Sequence, residues 1–169
     1  MTPERIKLFT ELVQEVLTTD SGFIPKPVWV LIQKLVPLPA IELILQKGNQ
    51  FLLTYRKDEY WDGWHIPGGF VMRKESLHEA ANRIAKGELG IGGVLNLKQI
   101  AVKKLRNHPY GGSPVAIVLV GQQVGEIVET EKIRFFDHIP QPMVADHAEY
   151  LEIFFGYLNN QEAFSRVLA

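Results

Sequence analysis

The residues best suited to chemistry lie between Gly68 and Ile91. A glycine pair, Gly68-Gly69, leads through Glu75 into a helix-like stretch that carries Arg83 and Glu88 and closes at Gly90. Carboxylates are the ligands that hard divalent ions such as Mg²⁺ require. A guanidinium grips phosphate oxygens through paired hydrogen bonds, and Arg56 upstream offers a second one. Glu42 stands among the apolar residues of Ile41–Leu45, so it needs either a solvent-facing side or a partner. Glu131, His138 and His147 are the candidate proton acceptors. His147 lies in Asp146-His147-Ala148-Glu149, where Asp146 and Glu149 also read as a helix cap and its capping-box partner. His138 reads as a surface loop residue. His65 and His78 attract no functional reading, and Trp61 and Trp64 read as framework.

These residues must be held by elements of two kinds. Thr2, Pro3 and Glu4 suit a helix start, and Ile6, Phe9, Val13, Val16 and Leu17 recur at helical spacing until Ser21-Gly22. Val28–Val36 predicts a second short helix, stopped by Pro37-Leu38-Pro39. From Ala40 the period changes to that of strands. Ile41–Gln46 and Gln50–Arg56 flank Gly48-Asn49, a hairpin signal. Asp58–Gly63 reads as a loop and Trp64–Ile66 as a short extended piece. Ser76 and Glu79 form an S-x-x-E capping box that opens a helix over Ser76–Gly87, with Ala80, Ala81, Ile84 and Ala85 on its apolar side. Leu97–Leu105, Val115–Gln122 and Lys132–Phe136 predict strands, with a turn-rich loop at Asn107–Pro114. A last helix starts near Ala148. Strands with inserted helices predict an α+β fold, an α/β/α sandwich.

The register of the 68–91 stretch resembles the Nudix hydrolases, whose box is G-x5-E-x7-R-E-U-x-E-E-x-G-U, with U a bulky apolar residue. Gly69, Glu75, Arg83, Glu88, Gly90 and Ile91 fall in place. Trp61-x-x-Trp64-x-x-Pro67-Gly68-Gly69 and Arg134-Phe135-Phe136-x-x-Ile139-Pro140 are also Nudix-like. The resemblance implies a mixed β-sheet flanked by helices. It departs at two positions: the family's first two clustered carboxylates are replaced by Ile84 and Gly87. A similar loss marks the GDP-mannose mannosyl hydrolases, understood to use one Mg²⁺ and to let water attack a sugar carbon. That resemblance implies metal ligation by the Gly68 carbonyl, Glu88 and Glu129, with Mn²⁺ as an alternative to Mg²⁺. It also implies phosphate contact by Arg56 and a ligand-facing Glu42. Phe70 replaces an arginine of that branch, and Thr130 replaces its histidine base, which leaves His147 or Glu131 to activate water. His108 and Tyr110 match a phosphate-binding histidine and a base-stacking tyrosine, or else form an exposed turn. Glu75 and Arg83 hold the box together, with Arg83 near phosphate.

Composition narrows the remaining classes. The 169 residues carry 18 Lys+Arg against 19 Asp+Glu, so the basic excess of a nucleic-acid binder is missing. Without cysteine there is no disulfide frame and no thiolate site. No apolar run approaches membrane-spanning length. The expectation is a cytoplasmic protein with a helical extension at 1–36 packed on a Nudix domain at 37–169. The extension's apolar helix face is also where a homodimer would form. The expected function is Mg²⁺-dependent hydrolysis of a nucleoside diphosphate sugar or related derivative. Two alternatives stay open: an ordinary pyrophosphatase cleaving a P–O bond, and a catalytically silent nucleotide-binding module.

Overall fold

The computed structural model describes residues 1–18, 24–105 and 112–167, with side chains through Asn160. The expected helix stop at Ser21-Gly22 and the pair His108 and Tyr110 lie outside the described residues. In chain order the elements are α1 (Pro3–Thr18), α2 (Lys26–Leu35), β1 (Pro39–Lys47), β2 (Gln50–Lys57), β3 (Asp62–His65), β4 (Gly68–Phe70), α3 (Leu77–Leu89), β5 (Gly93–Lys104), β6 (Val115–Val124), β7 (Ile133–Phe136) and α4 (His147–Val167).

The sheet runs β3-β2-β1-β6-β5, with β4 added to β1 and β7 to β2. β1 is the hinge of the architecture. It pairs parallel with β6, antiparallel with β2 at one end, and antiparallel with β4 at the other. Ala40 to Leu45 of β1 are all buried, because helices cover both faces of the sheet. Strand alternation then divides its side chains. Ile41, Leu43 and Leu45 pack with Ala81, Ile84 and Ala85 of α3. Ile44 faces the other way, onto Tyr150, Leu151 and Phe154 of α4. Glu42 shares that second parity, so the fold turns a carboxylate toward the start of α4. The expected α/β/α sandwich is the observed one.

Several boundaries differ from expectation by two residues or more, and the pairing explains two of them. β3 takes in Asp62 and Gly63, because Arg56 and Lys57 pair with them across the hairpin. β5 begins four residues before Leu97, since the β5–β6 ladder continues through register shifts near Leu95 and Lys98. Periodicity does not survive such bulges, so sequence pattern alone misplaces this start. The capping box of α3 forms as expected: Ser76 accepts from the Glu79 amide, and the Glu79 carboxylate accepts from the Ser76 amide. Gly90 ends the helix at φ +69°, a left-handed conformation that glycine adopts without a Cβ clash.

Candidate active site

The site is built around the short Ile66–Gly68 turn between β3 and β4. Gly68 is the cross-strand partner of Glu42. A Cβ at position 68 would lie 2.6 Å from the Ile41 carbonyl and 2.7 Å from Glu42 Oε2, so only glycine lets strand and carboxylate approach this closely. On its other side, the Gly68 amide donates to Glu88 Oε1 at 3.2 Å. The last turn of α3 is thereby tied to the sheet. Glu42 and Glu88 therefore flank one glycine, each from a different element.

Both carboxylates resist ionisation. Burial, with the Glu88 charge behind it, holds Glu42 well above the usual carboxylate range. Desolvation pushes Glu88 to about 7, against the Gly68 amide and the Arg56 charge, which favour the anion. Glu88 keeps part of its surface open to solvent, which softens this effect. Among the described residues no hydrogen-bond donor reaches the Glu42 carboxylate; its near neighbour is His147 Nδ1 at 3.8 Å. That nitrogen already accepts the Ile66 amide proton at 3.0 Å, so Nε2 carries the imidazole proton. Burial, then the neighbouring His65, lowers His147 to about 3. His147 is thus a neutral donor here, with its lone pair engaged.

His65 is the group that sequence reasoning left without a role. Its Nδ1 donates to the Ile66 carbonyl at 2.9 Å, and its Nε2 accepts from Thr54 Oγ1 at 2.9 Å. The two histidines hold opposite ends of residue 66, their ring centroids 6.0 Å apart. The available signal was Thr54 and His65 falling opposite each other once the β2–β3 register is drawn. The Tyr150 hydroxyl, buried beside this group, also has no hydrogen-bond partner among the described residues. Such a concentration of shifted groups is a mark of functional sites.

The remaining candidates are placed as follows. Arg56 sits at the end of β2, its Nε donating to Asp58 Oδ2. It lines a cavity of about 270 Å³ together with His65, Phe70 and His147. Arg83 is a clamp: it donates to both Glu75 oxygens, at 2.7 and 2.9 Å, and to the Phe70 carbonyl at 2.8 Å. Glu129 is exposed, and its carboxylate accepts the Phe135 amide at 3.1 Å. Glu131 is exposed in the turn before β7. His138 is exposed and bonded to Asp137. The Glu149 carboxylate pairs with Lys103. No set of three or more acidic or histidine side chains among the described residues converges on one point suited to a metal. The cluster that does assemble is Glu42 and Glu88 around Gly68, with the Arg56 charge in electrostatic reach of Glu88 and His147 3.8 Å from Glu42.

The family profile described as the NUDIX domain matches residues 37–149. The chain belongs to that family. The match bears out the family, the fold and the hydrolase class expected from the box. Among curated relatives, 69 residues are 38% identical to the low-salt glycan biosynthesis protein Agl8 of Haloferax volcanii, covering 40% of this chain and 44% of Agl8. The matched part therefore spans less than half of that relative. Another 28% identity extends over 130 residues, 73% of this chain and 76% of an ADP-ribose pyrophosphatase of Methanocaldococcus jannaschii. The fold is similar to a MutT NUDIX hydrolase from Burkholderia pseudomallei, with a TM-score of 0.59 and 25% identity over 69% of this chain and 97% of that one. It is also similar to the NUDIX domain of Shewanella oneidensis NrtR, solved with ADP ribose: TM-score 0.56, 16% identity, 86% and 97% covered. The last is a likeness of fold alone. Among the described residues no helix is long and apolar enough to cross a membrane.

Proposed function

We propose that this Nudix protein hydrolyses a nucleoside diphosphate derivative, of which a nucleoside diphosphate sugar is the leading case, with one divalent cation. The observation that supports the reading best is the Glu42–Gly68–Glu88 cluster beside the Arg56 cavity. A buried carboxylate without a donor is costly unless something positive joins it. Glu42, Glu88 and the Gly68 carbonyl are oxygen donors, the kind that Mg²⁺ and Mn²⁺ prefer. The residues fit such an ion, and Gly68 and Glu88 would hold it with Glu42 adjacent. When bound, the ion supplies positive charge for a departing diphosphate.

The chain's own residues supply the rest. Arg56 neutralises phosphate at the cavity mouth. The Arg83–Glu75 clamp fixes the turn that presents Gly68 and Phe70. His65 and His147 hold the Ile66 peptide, so the Gly68 backbone cannot drift. His147 Nε2–H is a donor to a bound oxygen. With the His147 lone pair engaged, Glu131 remains the proton acceptor expected from sequence, exposed in the turn before β7. Glu129 is the outer member of the metal set expected from sequence, currently satisfied by the Phe135 amide. The names of two relatives, a glycan biosynthesis protein and an ADP-ribose pyrophosphatase, agree with a nucleotide-linked sugar as substrate.

The test is turnover of nucleoside diphosphate sugars, ADP-ribose and nucleoside triphosphates, with Mg²⁺ and with chelator. Metal-dependent release of a nucleoside diphosphate is the expected result. Reaction in ¹⁸O-water separates the chemical routes: label in the sugar means attack at carbon, and label in phosphate means a P–O pyrophosphatase. Tight nucleotide binding without turnover of any compound would instead support the silent-module reading.

A further inference from the structure

The cavity beside the catalytic cluster is only partly made by the Nudix domain. Its other wall is α2, from the extension that precedes residue 37. Lys26, Trp29 and Gln33 line it at i, i+3 and i+7, the spacing that brings side chains to one helix face. Trp29 meets the Phe70 ring edge to face, with centroids 5.1 Å apart and planes at 80°. Phe70 stands directly after the glycine pair, so this contact fixes α2 to the turn that carries Gly68. Trp61 faces the same space from the core.

Gln33 is the unusual member. It is 6% exposed, and its Oε1 has no hydrogen-bond partner among the described residues. A buried amide oxygen left unpaired is costly, so its retention in a cavity wall calls for a donor from elsewhere. Its backbone is held close. A Cβ at Gly112 would lie 3.2 Å from the Gln33 carbonyl, so Gly112 packs tightly on α2 here. The wall therefore presents an indole, a hydrogen-bond acceptor and an ammonium group along one line. That combination matches a planar nitrogenous ring bearing an N–H edge, joined to phosphate.

We infer that α2 is the recognition wall for the nucleobase end of the ligand, with the Trp29 indole stacking on the ring and the Gln33 side-chain amide bonding its edge. Lys26 and Arg56 then meet the phosphates from opposite sides of the cavity. The inference rests on the nucleoside diphosphate reading above and adds the part of the chain that reads the base. It also assigns a purpose to α2: part of the cavity's selectivity lies outside the matched residues 37–149.

Calorimetry with Mg²⁺ tests it on the full chain, using ADP, GDP, UDP and CDP as probes and inorganic pyrophosphate as the base-free control. Trp29→Ala is expected to weaken the preferred diphosphate about ten-fold, the usual scale for losing one base–aromatic stack. Trp29→Phe should restore most of that affinity, which guards against a mere folding defect. Gln33→Leu should narrow the spread of affinities among the four bases. Pyrophosphate binding should be unchanged in Trp29→Phe and Gln33→Leu. If Trp29→Ala and Gln33→Leu bind the four diphosphates as the wild type does, the inference is overturned while the functional reading stands. If the wild type binds and hydrolyses no nucleotide at all, the functional reading fails and this inference fails with it.

Discussion

At the scale of single residues, two carboxyl groups, Glu42 and Glu88, flank one glycine, Gly68. Their raised pKa values have a consequence for stability. Where the folded state holds a proton that the unfolded chain has released, stability falls as pH rises. Glu88 moves from an ordinary value of 4.5 to about 7 on folding. Between those limits the metal-free protein should lose stability as pH rises, and the loss should be complete above pH 7. Glu88→Gln lacks that loss. In chelator, thermal scans from pH 4.5 to 8 should show the variant gaining on the wild type with rising pH. A constant difference would contradict the assignment. His147, lowered to about 3, costs stability in the opposite direction as pH falls below 6.5, but equally in both proteins. Gly68→Ala is a second test. Its Cβ must displace the Ile41 carbonyl or Glu42, which should cost about 1–3 kcal/mol and weaken Mg²⁺ binding. Unchanged stability and metal affinity would show that the close approach has no function.

At the scale of elements, α3 is the part most legible in the sequence. Ser76, Glu79, Gly90 and the alanine face act locally, so their pattern translates directly into a capped helix. Gly87 is the exception within it. Nothing lies within 4 Å of where its Cβ would be, so the close approach that a mid-helix glycine allows is not used by the protein itself. Gly87→Ala is therefore expected to stabilise the helix by about 0.5–1 kcal/mol, a rise in Tm of roughly 1–4 °C. A lower Tm would mean that the open space has a hidden occupant. The long-range parts of the site were far less legible. Glu42 reads as an awkward strand carboxylate until β1 is known to pair with β4. His65 attracts no reading until its ring is seen bridging Thr54 and the Ile66 carbonyl. The acceptor role expected of His147 reverses once its Nδ1 is found on the Ile66 amide. Spacing predicts which residues share a helix face, but it does not show which nitrogen of an imidazole is free.

Across the whole molecule, the sandwich sets a second carboxyl group beside the depleted box. Ile84 and Gly87 contribute no charge, and Ile84 is spent on the α3-side core. A second carboxyl group, Glu42, arrives instead from β1, by way of the opposite face of the sheet. The extension divides into two parts with different surroundings. α2 walls the cavity, whereas α1 buries none of its residues and leaves Ile6, Phe9, Val13 and Leu17 exposed. An apolar face of that kind is a surface for association. Light scattering should find the full chain as a dimer and a form lacking residues 1–24 as a monomer; equal masses per chain count would exclude α1 from the contact. Whether the surviving box carboxylate supports metal-dependent hydrolysis is decided most directly by turnover of Glu88→Gln beside the wild type. Initial rates on the nucleoside diphosphate sugar panel with Mg²⁺ should fall by at least about 100-fold in a variant that stays folded, the scale of losing one charge-stabilising group. Rates equal to the wild type on every substrate turned over would contradict the account.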